Sequence, residues 1–119
     1  RAAGARAKCQ NNLRQIALAA QNHHATAQQF PLGVTPPGDP REPYPYLSWS
    51  ARLLPHLEQG ALWEQTTRAF RTASSFQSDP AHVHRATPLA VFSCPSDGRT
   101  AAPAEFKLES GGTLSHGLT

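Results

Sequence analysis

The chain has no methionine, two cysteines, few aromatic residues and no long apolar run. Each shortage excludes something. Nothing approaches the roughly twenty consecutive apolar residues that cross a bilayer, so no segment here reads as a membrane anchor. No signal peptide is legible either, although a chain that opens on Arg1 without a start methionine says little about its targeting. Cys9 and Cys94 lack zinc-ligand spacing. In an oxidising compartment they read as one disulfide, in the cytosol as two buried thiols, and residues alone leave both readings standing. There is no G-x-S-x-G, no cysteine with a local basic partner and no glycine-rich phosphate loop, so the common signatures of nucleophilic catalysis and nucleotide binding are missing.

What remains is one domain's worth of residues, 119 in all, with 39% apolar content and a mean hydropathy of −0.48. Eleven prolines and eight glycines mark a loop-rich domain with a thin core. Low charge and the presence of aromatics argue against a disordered tail. The net charge is +3, with basic residues scattered except for Arg1, Arg6, Lys8 and Arg14 near the start. A nucleic-acid reader interleaves such a basic stripe with aromatics, and this stretch has none, so it reads as a solvated helical face and no nucleic-acid partner is expected.

The most informative stretch is Arg6 to Gln29, RAKCQNNLRQIALAAQNHHATAQQ. Cys9, Leu13, Ile16, Ala17, Ala20 and His24 follow the spacing of one apolar stripe, opposite Gln10, Asn11, Arg14, Gln21 and Gln28. The spacing predicts a long amphipathic helix, and the alanine-rich Arg1 to Ala7 extends it to the first residue and beyond. Phe30-Pro31-Leu32-Gly33 ends it. Residues 34–47 hold five prolines and form neither helix nor central strand, but an ordered loop with Tyr44 and Tyr46 laid against the domain.

Helical structure resumes from about Ser48, a plausible N-cap, to Phe70. Pro55 breaks it and suits the first turn of a following helix, and Gly60 separates a third, ALWEQTTRAF. Trp49, Leu53, Leu54, Leu57, Leu62 and Trp63 supply bulky core groups. Residues 71–85 read as loop. Pro88 to Cys94 alternates and predicts the best strand in the chain, with Cys94 on the core-facing side of Phe92, where Cys9 could meet it. Pro95 to Gly98 is a turn, Glu105 to Leu108 a short strand, and the last ten residues a hairpin or edge.

Four blocks in this order, CQNNLRQIALAAQNHHAT, FPLG, SWSARLLPHLEQGALWEQ and VFSCPSDG, resemble a large bacterial family of prepilin-like proteins of unknown function, related to the major pseudopilins of type II secretion. The family's wording is close to C-x-N-N-L-K-Q-I-x-L-A-x-x-N-Y-H, F-P-P-G, S-W-x-x-x-L-L-P-Y-L-E-Q and F-x-C-P-S-D. The blocks cover about two-thirds of the chain, and it is their joint occurrence that is specific. Leu32, His23 and His56 depart from that wording at surface-compatible positions. The resemblance implies a cleaved leader and an apolar anchor helix upstream of Arg1, and further strands beyond Thr119. It also implies an extracytoplasmic location, which favours a Cys9–Cys94 disulfide.

Chemistry is sparse. His82-Val83-His84 lacks the third and fourth ligands a tight metal site needs. His23 and His24 point roughly 100° apart on a helix and cannot easily share an ion. Pseudopilins use a C-terminal loop for calcium, yet Asp97 offers one carboxylate, too few for a hard cation. Glu58 and Gln59 read as capping or loop-bonding residues, and nothing positions Ser96, Ser115 or His116 for catalysis.

The sequence therefore predicts a single α+β, pilin-like domain over residues 1–119, with a long N-terminal helix packed on a small antiparallel sheet and short helices between. It is expected to be non-enzymatic, with no catalytic residues, metal or cofactor. The expected role is a pseudopilin-like subunit of a cell-envelope secretion or fibre system, membrane-anchored in full form. Its expected partners are other pilin-like subunits, met through the N-terminal helix, and the inner membrane through an upstream segment. The rival reading is an envelope-anchored solute- or glycan-binding module using Tyr44, Tyr46 and Trp49.

Overall fold

Alanine-rich and free of proline and acidic residues, Ala2–Ala27 forms helix α1, whose 26 residues give a rod about 39 Å long. It stops where Gln28 turns left-handed (φ 62°) and its N–H returns to the His24 carbonyl at 2.9 Å, an αL cap three residues before Pro31. The computed structural model describes residues 2–40, 43–73 and 87–97, together with the backbone of two strands at 104–107 and 113–116.

The buried side of α1 is not the expected one. Ala19 and His23 are buried, and Ala5, Cys9, Asn12, Ile16 and Ala20 are half-buried, whereas Leu13 is 66% exposed and Ala17 and His24 face outward. At about 100° per residue, the covered stripe is turned by about 60° from the expected stripe of Cys9, Leu13, Ile16, Ala17, Ala20 and His24. The reason is polar. Asn12 donates its side-chain amide to the Ala90 and Ser93 carbonyls at 3.1 and 3.0 Å. His23 Nδ1 stands 3.0 Å from the Gln29 carbonyl, which can only accept, so that nitrogen carries the hydrogen. Two polar side chains with fixed hydrogen-bond partners take the inner face from Leu13 and His24.

The proline-rich loop is zipped by its own backbone. Thr35 N–H donates to Leu47 (2.9 Å), Tyr46 N–H to Thr35 (2.8 Å) and Trp49 N–H to Gly33 (3.0 Å), around an antiparallel bridge between Val34 and Ser48. These bonds use amides that proline lacks, so the ordered arms flank the run of prolines from Pro36 to Pro45. Thr35, Leu47 and Ser48 are buried as a result.

Ser48 starts helix α2 (Trp49–Arg52), its hydroxyl accepting from the Ala51 N–H at 3.3 Å. Ser48→Ala removes this cap and the Ser50 hydroxyl's 3.1 Å neighbour, and is expected to lower unfolding stability by about 1 kcal/mol in urea titration. Pro55 sits in a following 3₁₀ turn, Leu54–His56. Glu58 then adopts φ 58° and the Gln59 N–H reaches back to Leu54 at 3.1 Å, the long bond of a Schellman cap, before helix α3 (Gly60–Ala69). The role of Glu58 is thus to reverse the chain.

Leu47, Ala51, Leu54 and Leu62 form the buried centre, with Tyr44, Trp63, Phe70, Leu89 and Phe92 packed against it. Trp49, expected inside, is 41% exposed, because its neighbours Ser48 and Ser50 hold the inner positions.

The expected α+β arrangement is not what the chain adopts. Among the described residues, α1 lies on the 3₁₀ turn Leu54–His56 and on a second at Ala90–Phe92, not on a sheet. Pro88 to Cys94 is not a strand: Phe92 and Ser93 N–H groups close back onto Leu89 and Ala90 at 3.1 Å, so the alternating residues coil instead of pairing. Strands β1 (Ala104–Lys107) and β2 (Thr113–His116) pair antiparallel, Ala104 opposite His116, and form a two-stranded ladder of their own.

Candidate functional site

Three places gather chemically capable side chains. The first is the seam between α1 and the segment 87–97. Cys9 and Cys94 are joined in a disulfide with Cα atoms 4.9 Å apart, closing a loop of sequence separation 85. One helical turn further along α1, the Asn12 amide bridges two carbonyls of the same segment. Asp97 N–H donates to the Cys94 carbonyl at 2.9 Å, making a turn directly after the bridge. Covalent bond and amide clamp together hold the segment to the rod.

The second lies between α1 and the Leu54–His56 turn. The His23 and His56 rings meet edge to face, 6.1 Å between centroids. Burial, with a smaller push from His23, holds the His56 pKa below its usual 6.5. The unfolded chain therefore binds the His56 proton more readily than the folded one. Stability from this group is complete above about pH 6.5 and is lost as pH falls through the lowered folded value. Urea midpoints measured from pH 8 to pH 5 are expected to fall, and His56→Gln is expected to flatten part of that slope. His24 takes no part, since its ring points outward and packs on Phe30 at 4.7 Å.

The third is an open groove of about 600 Å³ lined by Pro43, Tyr44, Glu64, Thr67, Arg68, Phe70 and Arg71. The Tyr44 ring sits 4.9 Å from Phe70 and 5.9 Å, edge-on, from Trp63. The guanidinium carbon of Arg52 lies 6.0 Å from the Tyr44 ring centre. Arg52 is itself buried, donating from Nε (3.3 Å) and Nη2 (3.0 Å) to the Thr35 hydroxyl. Thr35 passes its own hydrogen to the Leu47 carbonyl at 3.3 Å. The proline loop, α2 and α3 are thereby tied around one tyrosine.

Of the three aromatic residues named from sequence as a ligand platform, Tyr44 alone lines this groove. Tyr46 has φ 62° and is 40% exposed, and Trp49 packs edge-on against Phe92 at 6.1 Å. The sequence reading passed over Glu64, Thr67 and Arg68, whose i, i+3, i+4 spacing on one helical face was legible, and Arg71, which follows the end of α3. His82 and His84 lie outside the described residues, as do the side chains of Ser115 and His116. Among the described residues no three His, Cys, Asp or Glu side chains converge as a metal site would require.

The family profile described as protein of unknown function (DUF1559) matches residues 1–117, and the chain belongs to that family. No curated protein and no solved structure matches it.

Proposed function

We propose that this protein is a non-enzymatic, pseudopilin-like structural subunit of a cell-envelope assembly, displayed outside the cytoplasm and packed to its neighbours through α1. The observation that carries the reading is the one-sided burial of that helix. Its covered stripe runs through Cys9, Asn12, Ile16, Ala19 and His23, while Leu13 and Leu18, 66% and 58% exposed, stand on other sides of the rod. Leu13 and Leu18 offer neighbouring subunits apolar contacts that the domain itself does not use. The disulfide supports an oxidising location. The four sequence blocks described above support the prepilin relationship.

A photo-crosslinking amino acid at position 13 or 18, introduced into the gene product in its native host, tests the proposal. Crosslinked ladders spaced by one subunit in the envelope fraction are expected. Uncrosslinked monomer recovered from the cytosol would overturn both the location and the role.

A further inference from the structure

We propose that copies of this chain join head-to-tail, the Arg6–Leu13 flank of α1 in one copy seating in the groove that Leu18, Leu57 and Glu58 line in a second. The inference rests on the subunit reading above and names the two surfaces that meet. Leu13 and Leu18 are five residues apart, which sets them about 140° apart around the rod. A neighbour laid along one side of α1 therefore reaches one of these exposed leucines, and covering both takes two neighbours. The first flank carries Arg6, Gln10, Leu13 and Ala17 at the i, i+4, i+7, i+11 spacing, all exposed. The second borders an open groove of about 360 Å³, lined by Gln15, Leu18 and Asn22 of α1 and by His56, Leu57 and Glu58 beside them.

Charge decides which surfaces meet. Helix α1 holds Arg6, Lys8 and Arg14 and no acidic residue, so Arg6 has no carboxylate on its own helix to pair with. Glu58 is exposed and is the acidic residue of the groove, on a backbone fixed at φ 58° by the turn that carries the Gln59 N–H back to Leu54. The first flank laid on its own copy brings guanidinium groups together without a carboxylate. Groove on groove brings carboxylates together without a guanidinium. Flank in groove supplies both signs and sets Leu13 against Leu18 and Leu57. The lengths agree as well, since Arg6 to Leu13 and Gln15 to Asn22 each span two turns, about 10.5 Å. A contact between unlike patches does not close as a two-fold dimer does, and each copy added keeps one flank and one groove for the next.

The test uses the full gene product in its native host, with the photo-crosslinking amino acid at position 13 and the joined peptides of the dimer band identified by mass spectrometry. Crosslinks are expected to fall on the groove of a second copy, at residues 15–22 or 56–58. Arg6→Glu and Glu58→Arg are each expected to weaken the dimer band about five-fold or more, and the two together to restore at least half of it, the pair being remade with its signs exchanged. Both positions are exposed, so each variant should unfold at the parent's urea midpoint. Glu58→Gln, which removes the charge without reversing it, should give an intermediate loss. Crosslinks from position 13 to any other surface, to another protein or to lipid overturn this contact, as does a double variant no better than the singles. Where ladders still form, the subunit reading survives that failure. Absence of any ladder from positions 13 and 18 in the parent overturns both.

Discussion

Replacing Cys9 and Cys94 with serine is expected to lower unfolding stability by about 4.5 kcal/mol, the largest effect of any change considered. The bridge closes a loop of sequence separation 85, and confining so long a loop in the unfolded chain is worth about that much in the chain-entropy account. Domains of this size are stable by only about 5–15 kcal/mol in total. The two hydrogen bonds from Asn12 survive the replacement, yet each contributes about 1 kcal/mol net and cannot make up the difference. Urea titration of the double serine variant should show a much lower midpoint and a steeper dependence on denaturant, since its unfolded state is more expanded. Reduction of the parent chain should reproduce the shift. A midpoint unchanged in both would mean that the clamp and the core hold segment 87–97 without covalent help.

The second large effect belongs to Leu54. It is fully buried and meets Leu47, Ala51 and Leu62 at the centre of the molecule. Leu54→Ala removes its side-chain packing and leaves a cavity, with an expected loss of about 3 kcal/mol. The surrounding Leu47 and Ala51 belong to a hydrogen-bonded loop arm and a capped helix, so they have little freedom to collapse into the space. Leu13→Ala provides the contrast. At 66% exposure its side chain adds little to the isolated chain, and a change within about 0.5 kcal/mol is expected by the same denaturation measurement. If the two leucines proved equally costly, the turned stripe of α1 would be wrong.

How far the sequence carried this picture depends on what kind of signal each element sends. Helix α1 was legible because propensity is summed over many residues, and its end was legible because Pro31 restricts the residue before it and Gly33 permits a turn. Ser48, Pro55 and Gly60 marked the later helices for the same local reasons. The facing of α1 was not legible. An apolar count ranks Leu13 above Asn12, and nothing local announces that two carbonyls from residues 90 and 93 will meet the Asn12 amide.

The strand expected at Pro88 to Cys94 failed for a related reason. Seven alternating residues fit a strand, but a strand needs a ladder partner, and among the described residues this segment has α1 beside it instead. With it fell the expected sheet beneath the long helix. At the candidate groove, Tyr44 was legible as an aromatic in an ordered loop. Its polar wall was passed over, because only the fold brings residue 44 opposite residues 64 to 71.

The Cys9–Cys94 bond also decides how the molecule carries mechanical tension. A pull entering through the first turns of α1 and leaving past residue 94 crosses from one cysteine to the other over a Cα separation of 4.9 Å. Everything between them, the proline loop, α2, α3 and the aromatic groove, hangs as a closed side-ring off the line of force. Such a head can be dragged without being stretched, and its surface keeps its shape under strain.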